Sequence, residues 1–125
     1  MPWLLTQNCG CLKCGADPCD TEACLCSLDL DTVGGDEGFS QTYDVSGEFI
    51  YNRDIYVDFE SYTVKDRLVI YAGSSIVYDS GCIGAHVTPT VTIPGGTTAV
   101  TVIIYANCEG TTGTAWTLSI TCALI

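Results

Sequence analysis

The chain has 125 residues, which suits one domain with an additional arm or tail. Four basic residues stand against 15 acidic ones, giving a formal net charge of −11. This balance argues against a nucleic-acid partner and against an anionic membrane surface, because both require Lys and Arg. An acidic surface suits a soluble, non-sticking protein or one that recruits a hard cation such as calcium.

The first feature along the chain is a cysteine cluster with the spacing C-x-C-x2-C-x4-C-x4-C-x-C. Only one C-x2-C pair is present and the single histidine, His86, is far away, so a zinc site is disfavoured, and iron–sulfur spacings do not match. A thiolate-rich metal cluster and a reduced, irregular arm remain alternatives. We predict disulfides, some within the arm and some between subunits. Six of the nine cysteines belong to this cluster: Cys9, Cys11, Cys14, Cys19, Cys24 and Cys26.

The cysteine count and the N-terminus suggest different cellular locations for the protein. Nine cysteines is an odd number, so at least one stays free or pairs with another chain. Such a composition is typical of extracellular proteins. The N-terminal MPWLLTQN, however, lacks the basic region and the long apolar run of a secretion signal. We expect either synthesis in the cytoplasm with oxidation after release, or a signal that has been removed.

The sequence changes character near residue 38. Residues 1–38 show no sustained periodicity and are predicted to form an irregular Cys-rich arm with a Gly/Asp-rich linker at 27–38. Residues 39–125 are predicted to form one β domain, because Val, Ile, Thr and Tyr dominate between recurrent Gly and Pro turns. Strands are predicted at 45–52, 54–60, 67–72, 75–80, 86–93, 98–108 and 114–125.

Two turns and one alternating strand define the expected topology. Gly73-Ser74 has glycine first, as a type II′ hairpin turn requires, and EGTTG at 109–113 predicts a hairpin between the last two strands. In the last strand the alternation assigns one set of residues to the core face: Trp116, Leu118, Ile120, Cys122 and Leu124. The predicted fold is therefore all-β: an antiparallel, jelly-roll-like β-sandwich of seven or eight strands preceded by the irregular arm.

Three cysteines lie in the predicted sandwich. A hairpin about 109–113 would place Cys108 beside Ala115 rather than Cys122, so Cys82 is the better partner for one of them. The alternative is that Cys82, Cys108 and Cys122 are buried free thiols.

Two stretches resemble a recurrent small β-sandwich module. SYTVKDRLVIYAGSSIVYDSGCIG at 61–84 matches a D-R-L/F-x-V/I-Y strand that leads into a hairpin and a D-S/T-G turn, and GTAWTLSITC at 113–122 matches a closing G-T-A-W strand. Such modules are similar to pre-peptidase C-terminal and CUB-like sandwiches, and the resemblance covers about residues 45–122. With its Cys-rich arm and no evident signal, the chain also resembles accessory virion proteins of tailed bacteriophages, of the capsid decoration, cement or fibre type.

Few residues suggest binding chemistry. Related modules sometimes hold calcium, but no D-x-D-x-D-G loop is present, and a solvated acidic face is the simpler interpretation. Tyr56 shares a strand face with acidic residues and is the best candidate for stacking against a sugar, although half-buried strand tyrosines are common. His86 has no evident nucleophile or base partner, so no catalysis is predicted. The possible calcium ligands are Asp54, Asp58, Glu60, Asp66 and Asp79.

Two functional hypotheses follow. In the first, the chain is a structural protein on the surface of a phage virion, anchored and cross-linked through its arm to other virion proteins such as the major capsid protein. Homo-oligomers, for example trimers, are expected in that case. In the second, it is a calcium- or glycan-binding sandwich of a secreted bacterial protein.

Overall fold

The computed structural model describes residues 26–123. These residues form nine strands. The strands are β1 (Leu30–Gly34), β2 (Phe39–Asp44), β3 (Arg53–Glu60), β4 (Asp66–Ala72), β5 (Ser75–Ile83), β6 (His86–Val87), β7 (Thr90–Ile93), β8 (Ala99–Tyr105) and β9 (Trp116–Cys122). The described residues contain no helix, and hence none that could span a membrane.

The strands form two antiparallel sheets. Sheet A has the order β1-β9-β3-β6, with β7 also pairing with β3. Sheet B has the order β2-β8-β4-β5. The predicted all-β sandwich is confirmed, with nine strands among the described residues in place of seven or eight.

The core lies between the two sheets and is built from alternate strand positions. In β3 every second residue is buried and the residues between them are exposed, up to the partly buried Glu60 at its end. Trp116 is 1% exposed, and its ring packs edge-on against Phe39 with centroids 6.1 Å apart. Of the five positions assigned to the core face of the last strand, Trp116, Leu118 and Ile120 are confirmed as buried, Cys122 is partly buried, and Leu124 lies outside the described residues.

The β4–β5 hairpin also matches its prediction. Ala72 pairs with Ser75 across Gly73-Ser74, and Gly73 has a φ of 61°. Ser74 is not in the positive-φ region, so only the first central residue of the turn requires glycine. This pattern is that of a type II′ turn.

Apart from shifts of a few residues at strand ends, four segments differ from their predicted structure. Phe39–Asp44 forms β2 where no strand was predicted, and the predicted strand 86–93 is divided into β6 and β7.

The other two segments lie at 45–52 and 27–38. The stretch 45–52 forms turns in place of a strand, because Gly47 has a φ of 79° and the Glu48 N–H closes a turn on the Val45 carbonyl. Its apolar residues Val45 and Phe49 are buried nonetheless. Conversely, part of the linker-like stretch 27–38 forms β1, and all five residues of this strand pair with β9. The first strand of the sandwich therefore lies before residue 39.

The predicted hairpin about 109–113 is wrong. β8 belongs to sheet B and β9 to sheet A, so the segment between them crosses from one sheet to the other. Asp36 holds this crossing in place: its Oδ1 accepts hydrogen bonds from Asn107 Nδ2 (3.0 Å) and the backbone N–H groups of Gly113 (2.9 Å) and Thr114 (3.0 Å). These donors, the Asn107 amide foremost, lower the pKa of Asp36.

Two disulfides join distant parts of the described chain. Cys82 is bonded to Cys108, with Cα atoms 5.9 Å apart, and Cys26 is bonded to Cys122, with Cα atoms 6.3 Å apart. The second bridge fastens the base of the arm to the last strand of the sandwich. The predicted cross-linking residues that lie outside the described residues are Cys9, Cys11, Cys14, Cys19 and Cys24.

Candidate functional site

The outer surface of sheet A over β3 places polar groups around an exposed aromatic ring. β3 exposes one set of alternate side chains because the other set fills the core. The neighbouring strands add a histidine and hydroxyl groups at matching register positions. We call this surface the β3 face; its residues are Asp54, Tyr56, Asp58, Glu60, His86, Thr90, Thr92 and Thr121.

Tyr56 lies at the centre of the β3 face. Its register partners are Thr90 on β7 and Thr121 on β9, so a short hydroxyl side chain flanks it on each side. Tyr56 is 53% exposed. Asp54 and Asp58 are its neighbours along the same face, each about 7 Å away at the rise of a β-strand. The ring is thus an accessible apolar surface with hydrogen-bonding groups on all sides, as the sequence alternation predicts for Tyr56.

A histidine–carboxylate pair lies next to Tyr56. His86 Nε2 is 2.7 Å from Asp58 Oδ1, and His86 Nδ1 is 3.9 Å from Glu60 Oε1. An ionised carboxylate can only accept a hydrogen bond, so Nε2 carries the proton that is donated to Asp58. All three side chains are partly or largely solvent-exposed. They form a polar patch that can both donate and accept hydrogen bonds.

The buried Ser61 positions His86. Its hydroxyl donates to the Ile83 carbonyl at 2.6 Å and accepts from the Ala85 N–H at 3.0 Å. Its own N–H donates to the Ala85 carbonyl at 3.1 Å. These bonds fasten the 84–85 turn to the end of β3, so that β6 begins with His86 opposite Glu60.

Thr92 orders the other end of the face. Thr92 Oγ1 donates to Asp54 Oδ1 at 2.6 Å, across the β3–β7 pair. Asp54 Oδ2 has no hydrogen-bond partner among residues 26–123, and the side chain is exposed. Asp54 therefore has a fixed orientation and one acceptor oxygen available to a ligand.

The structure does not bring the five possible calcium ligands together. Asp54, Asp58 and Glu60 share the β3 face. Asp66 is fully buried and accepts hydrogen bonds from the Asn107 N–H and the Thr114 hydroxyl, at 2.9 and 2.7 Å. Asp79 lies on sheet B in a bidentate pair with Arg67. Residues 26–123 contain no group of three or more His, Cys, Asp or Glu side chains arranged to hold a metal ion.

The sequence did not indicate the pairing of His86 with Asp58. The two residues are 28 positions apart, and only the antiparallel pairing of β6 with β3 makes them diagonal neighbours. For the hydroxyl groups of the β3 face the sequence did carry a signal. Thr90 and Thr92 alternate with the buried Val91 and Ile93, so the two threonines had to lie on the same face of their strand.

Comparisons with known proteins find similarity in structure only. No protein-family model matches the chain, and no curated protein sequence matches it. Among solved structures, the tandem CBM51 modules of a family 98 glycoside hydrolase from Streptococcus pneumoniae align over 76% of this chain at a TM-score of 0.55 and 16% identity. The chain spans 32% of that protein.

Two further structures are similar to single modules. The pre-peptidase C-terminal domain of a collagenase from Bacillus anthracis aligns over 75% of this chain and 90% of its own length, at a TM-score of 0.51 and 17% identity. CBM51 from a Clostridium perfringens GH95 protein, in complex with methyl-galactose, aligns over 76% of this chain and 69% of its own length, at a TM-score of 0.52 and 14% identity. At these identities the similarity shows a shared β-sandwich fold.

Proposed function

We propose that the described domain is a non-catalytic binding module that recognises carbohydrate on the β3 face. The observation that carries the proposal is the exposed ring of Tyr56, set among side chains that are already oriented by hydrogen bonds. An aromatic ring offers an apolar surface to the C–H face of a sugar, and carboxylates and hydroxyls bind its hydroxyl groups. The fold similarity to a CBM51 module solved with methyl-galactose supports this choice of ligand class.

The arrangement favours binding over catalysis. The β3 face is a sheet surface, and its residues are exposed, whereas enzymes surround the reacting bond and exclude water from it. The proposed role of His86 is to present Asp58 in a fixed orientation and to offer hydrogen bonds to a ligand.

The test is a matched pair of tyrosine variants. Tyr51 is 59% exposed and lies outside the β3 face, so Tyr51→Ala removes a similar exposed ring. We expect Tyr56→Ala to weaken binding to saccharides by about tenfold or more, while Tyr51→Ala and Tyr56→Phe leave it nearly unchanged. Binding would be measured by calorimetry with oligosaccharides of galactose, glucose and N-acetylglucosamine. Equal losses in the two alanine variants, or no binding to any saccharide, would refute the proposal.

A second function is favoured by the Cys26–Cys122 bridge, which fastens the arm covalently to the sandwich. Of nine cysteines, four form the two described bridges, which leaves an odd number, five, so that these five cannot all pair with one another. We propose that the remaining cysteines cross-link the sandwich to other copies or to the surface of a particle such as a phage virion. A ladder of species on non-reducing gels that collapses with reductant supports this proposal; a single monomer band in both conditions contradicts it.

A further inference from the structure

The charges around the proposed sugar platform are almost all negative. Asp54, Asp58 and Glu60 lie on the β3 face, and of the ionisable side chains there only His86 can become positive. The three Lys and Arg residues in 26–123 are engaged elsewhere. Arg53 is buried at the start of β3, Lys65 pairs with Glu109 at 3.1 Å, and Arg67 pairs with Asp79 on sheet B.

The position of the carboxylates relative to Tyr56 matters more than their number. Asp54 and Asp58 lie on either side of Tyr56 along one strand face, each about 7 Å from it. A sugar that stacks on the ring would place its ring substituents next to one or both carboxylates. An anionic substituent at that place would meet negative charge with no Lys or Arg of residues 26–123 on the β3 face, whereas a protonated amine would meet favourable charge on either side.

We propose that the β3 face selects amino sugars that carry a free, protonated amine over neutral and anionic saccharides. This inference rests on the proposed function. Tyr56 provides the stacking surface, and an ammonium group on one side of it pairs with Asp54 or, on the other side, with Asp58. Thr92 and His86 hold the two carboxylates in place, through contacts of 2.6 and 2.7 Å.

The experiment compares three tetrasaccharides on the full chain by calorimetry at low salt: a glucosamine tetramer, its fully N-acetylated counterpart and a galacturonate tetramer. We expect the glucosamine tetramer to bind about tenfold more tightly than the N-acetylated one, and the galacturonate tetramer to bind more weakly than both. The preference should decline as salt is added, because the charges are exposed.

Variants separate this site from general attraction to an acidic protein. Asp54→Asn and Asp58→Asn should each reduce the preference for the free amine, while Glu37→Gln removes the same charge from an exposed turn outside the β3 face and should leave it unchanged. Tyr56→Ala should weaken all binding. If Glu37→Gln reduces the preference as much as Asp54→Asn, the proposal is overturned.

The outcomes also distinguish this inference from the proposed function. If the N-acetylated tetramer binds as tightly as the glucosamine tetramer and depends on Tyr56, carbohydrate binding stands and the amine selectivity fails. If none of the three tetrasaccharides binds, the amine selectivity fails; the proposed function fails with it only if the galactose and glucose oligosaccharides also do not bind.

Discussion

The carboxylates of Asp66 and Asp79 have different structural roles because their surroundings differ. Asp66 is fully buried and satisfies two donors, the Asn107 N–H and the Thr114 hydroxyl. Asp79 is partly exposed and is held by Arg67 and by the Gly81 N–H. The sequence presents both simply as acidic residues near strands, so only the contacts of each residue reveal the difference.

The first prediction compares truncation of these two residues. Asp66→Ala should lower the free energy of unfolding by about 2–3 kcal/mol, because it removes the acceptor of the part-buried Asn107 N–H and leaves the Thr114 hydroxyl only the Val64 carbonyl at 3.4 Å. Asp79→Ala should lower it by less than about 1 kcal/mol, because its ion pair is partly exposed to solvent. Urea unfolding of both variants measures the difference. Similar losses in the two variants would contradict the assignment of Asp66 as the buried structural acceptor.

The second prediction concerns acid stability. The Arg67 guanidinium, with help from the Gly81 N–H, lowers the pKa of Asp79 from 3.8 to about 2. The folded state therefore binds this proton less readily than the unfolded chain, so the stabilisation is fully present above the unfolded pKa and is lost as pH falls through the folded one. With both side chains partly exposed, it amounts to about 1 kcal/mol or less.

The measurement is the stability difference between the unsubstituted chain and Asp79→Asn as a function of pH. We expect a constant difference above about pH 4 that shrinks towards pH 2. Arg67→Gln should remove most of this pH dependence. A difference that grows as pH falls would have the wrong sign for a depressed carboxyl pKa.

At the scale of elements, β1 shows how a short, weakly patterned strand is held by its neighbour. It pairs with β9 along its whole length, and its last residue, Gly34, lies against the Trp116 ring. The indole Nε1–H donates to the Gly35 carbonyl at 3.0 Å. Gly34 is therefore required by close packing rather than by backbone conformation, since its φ is not in the positive region.

The third prediction contrasts two glycines. A Cβ on Gly34 would overlap the Trp116 ring, so Gly34→Ala should lower the free energy of unfolding by about 2–3 kcal/mol. A Cβ on Gly73 would meet no atom within 4 Å, but its φ of 61° makes Gly73→Ala cost about 1 kcal/mol. Thermal unfolding of both variants checks the order. A larger loss for Gly73→Ala would contradict the packing of β1 on Trp116.

At the scale of the whole molecule, the two disulfides close loops of very different length. Cys26 and Cys122 are 96 positions apart, while Cys82 and Cys108 are 26 apart. A cross-link stabilises a fold largely by restricting the unfolded chain, and the effect grows slowly with loop length. The longer loop spans nearly all of the described chain, and that bridge also fastens the segment that precedes β1 to the end of β9.

The fourth prediction follows from these loop lengths. Replacing Cys26 and Cys122 together by Ser should lower the free energy of unfolding by up to about 4.7 kcal/mol, and replacing Cys82 and Cys108 together by up to about 3.5 kcal/mol. Chemical unfolding without reductant measures both losses. Stability that does not change in either double variant would show that the bridges are not formed in the protein.

Local patterns were sufficient for much of the fold. Alternation of apolar and polar residues places Tyr56 outside and Trp116 inside, and glycine in first position selects the turn at Gly73-Ser74. Both are short-range effects that operate wherever one face of a strand is buried. The site prediction reached Tyr56 with its acidic neighbours Asp58 and Glu60 for the same reason.

The sequence by itself therefore determined the β-sandwich class, the buried faces of β3 and β9 and the exposed tyrosine, because these depend on alternation within single strands. The tertiary structure decided that β8 and β9 lie in different sheets, that residues 30–34 join the sandwich, and that His86 pairs with Asp58. It also decided that Cys82 bonds to Cys108 and Cys26 to Cys122. Each of these joins residues that are far apart in the chain, and their pairing depends on how whole strands are ordered and aligned, which no local pattern specifies.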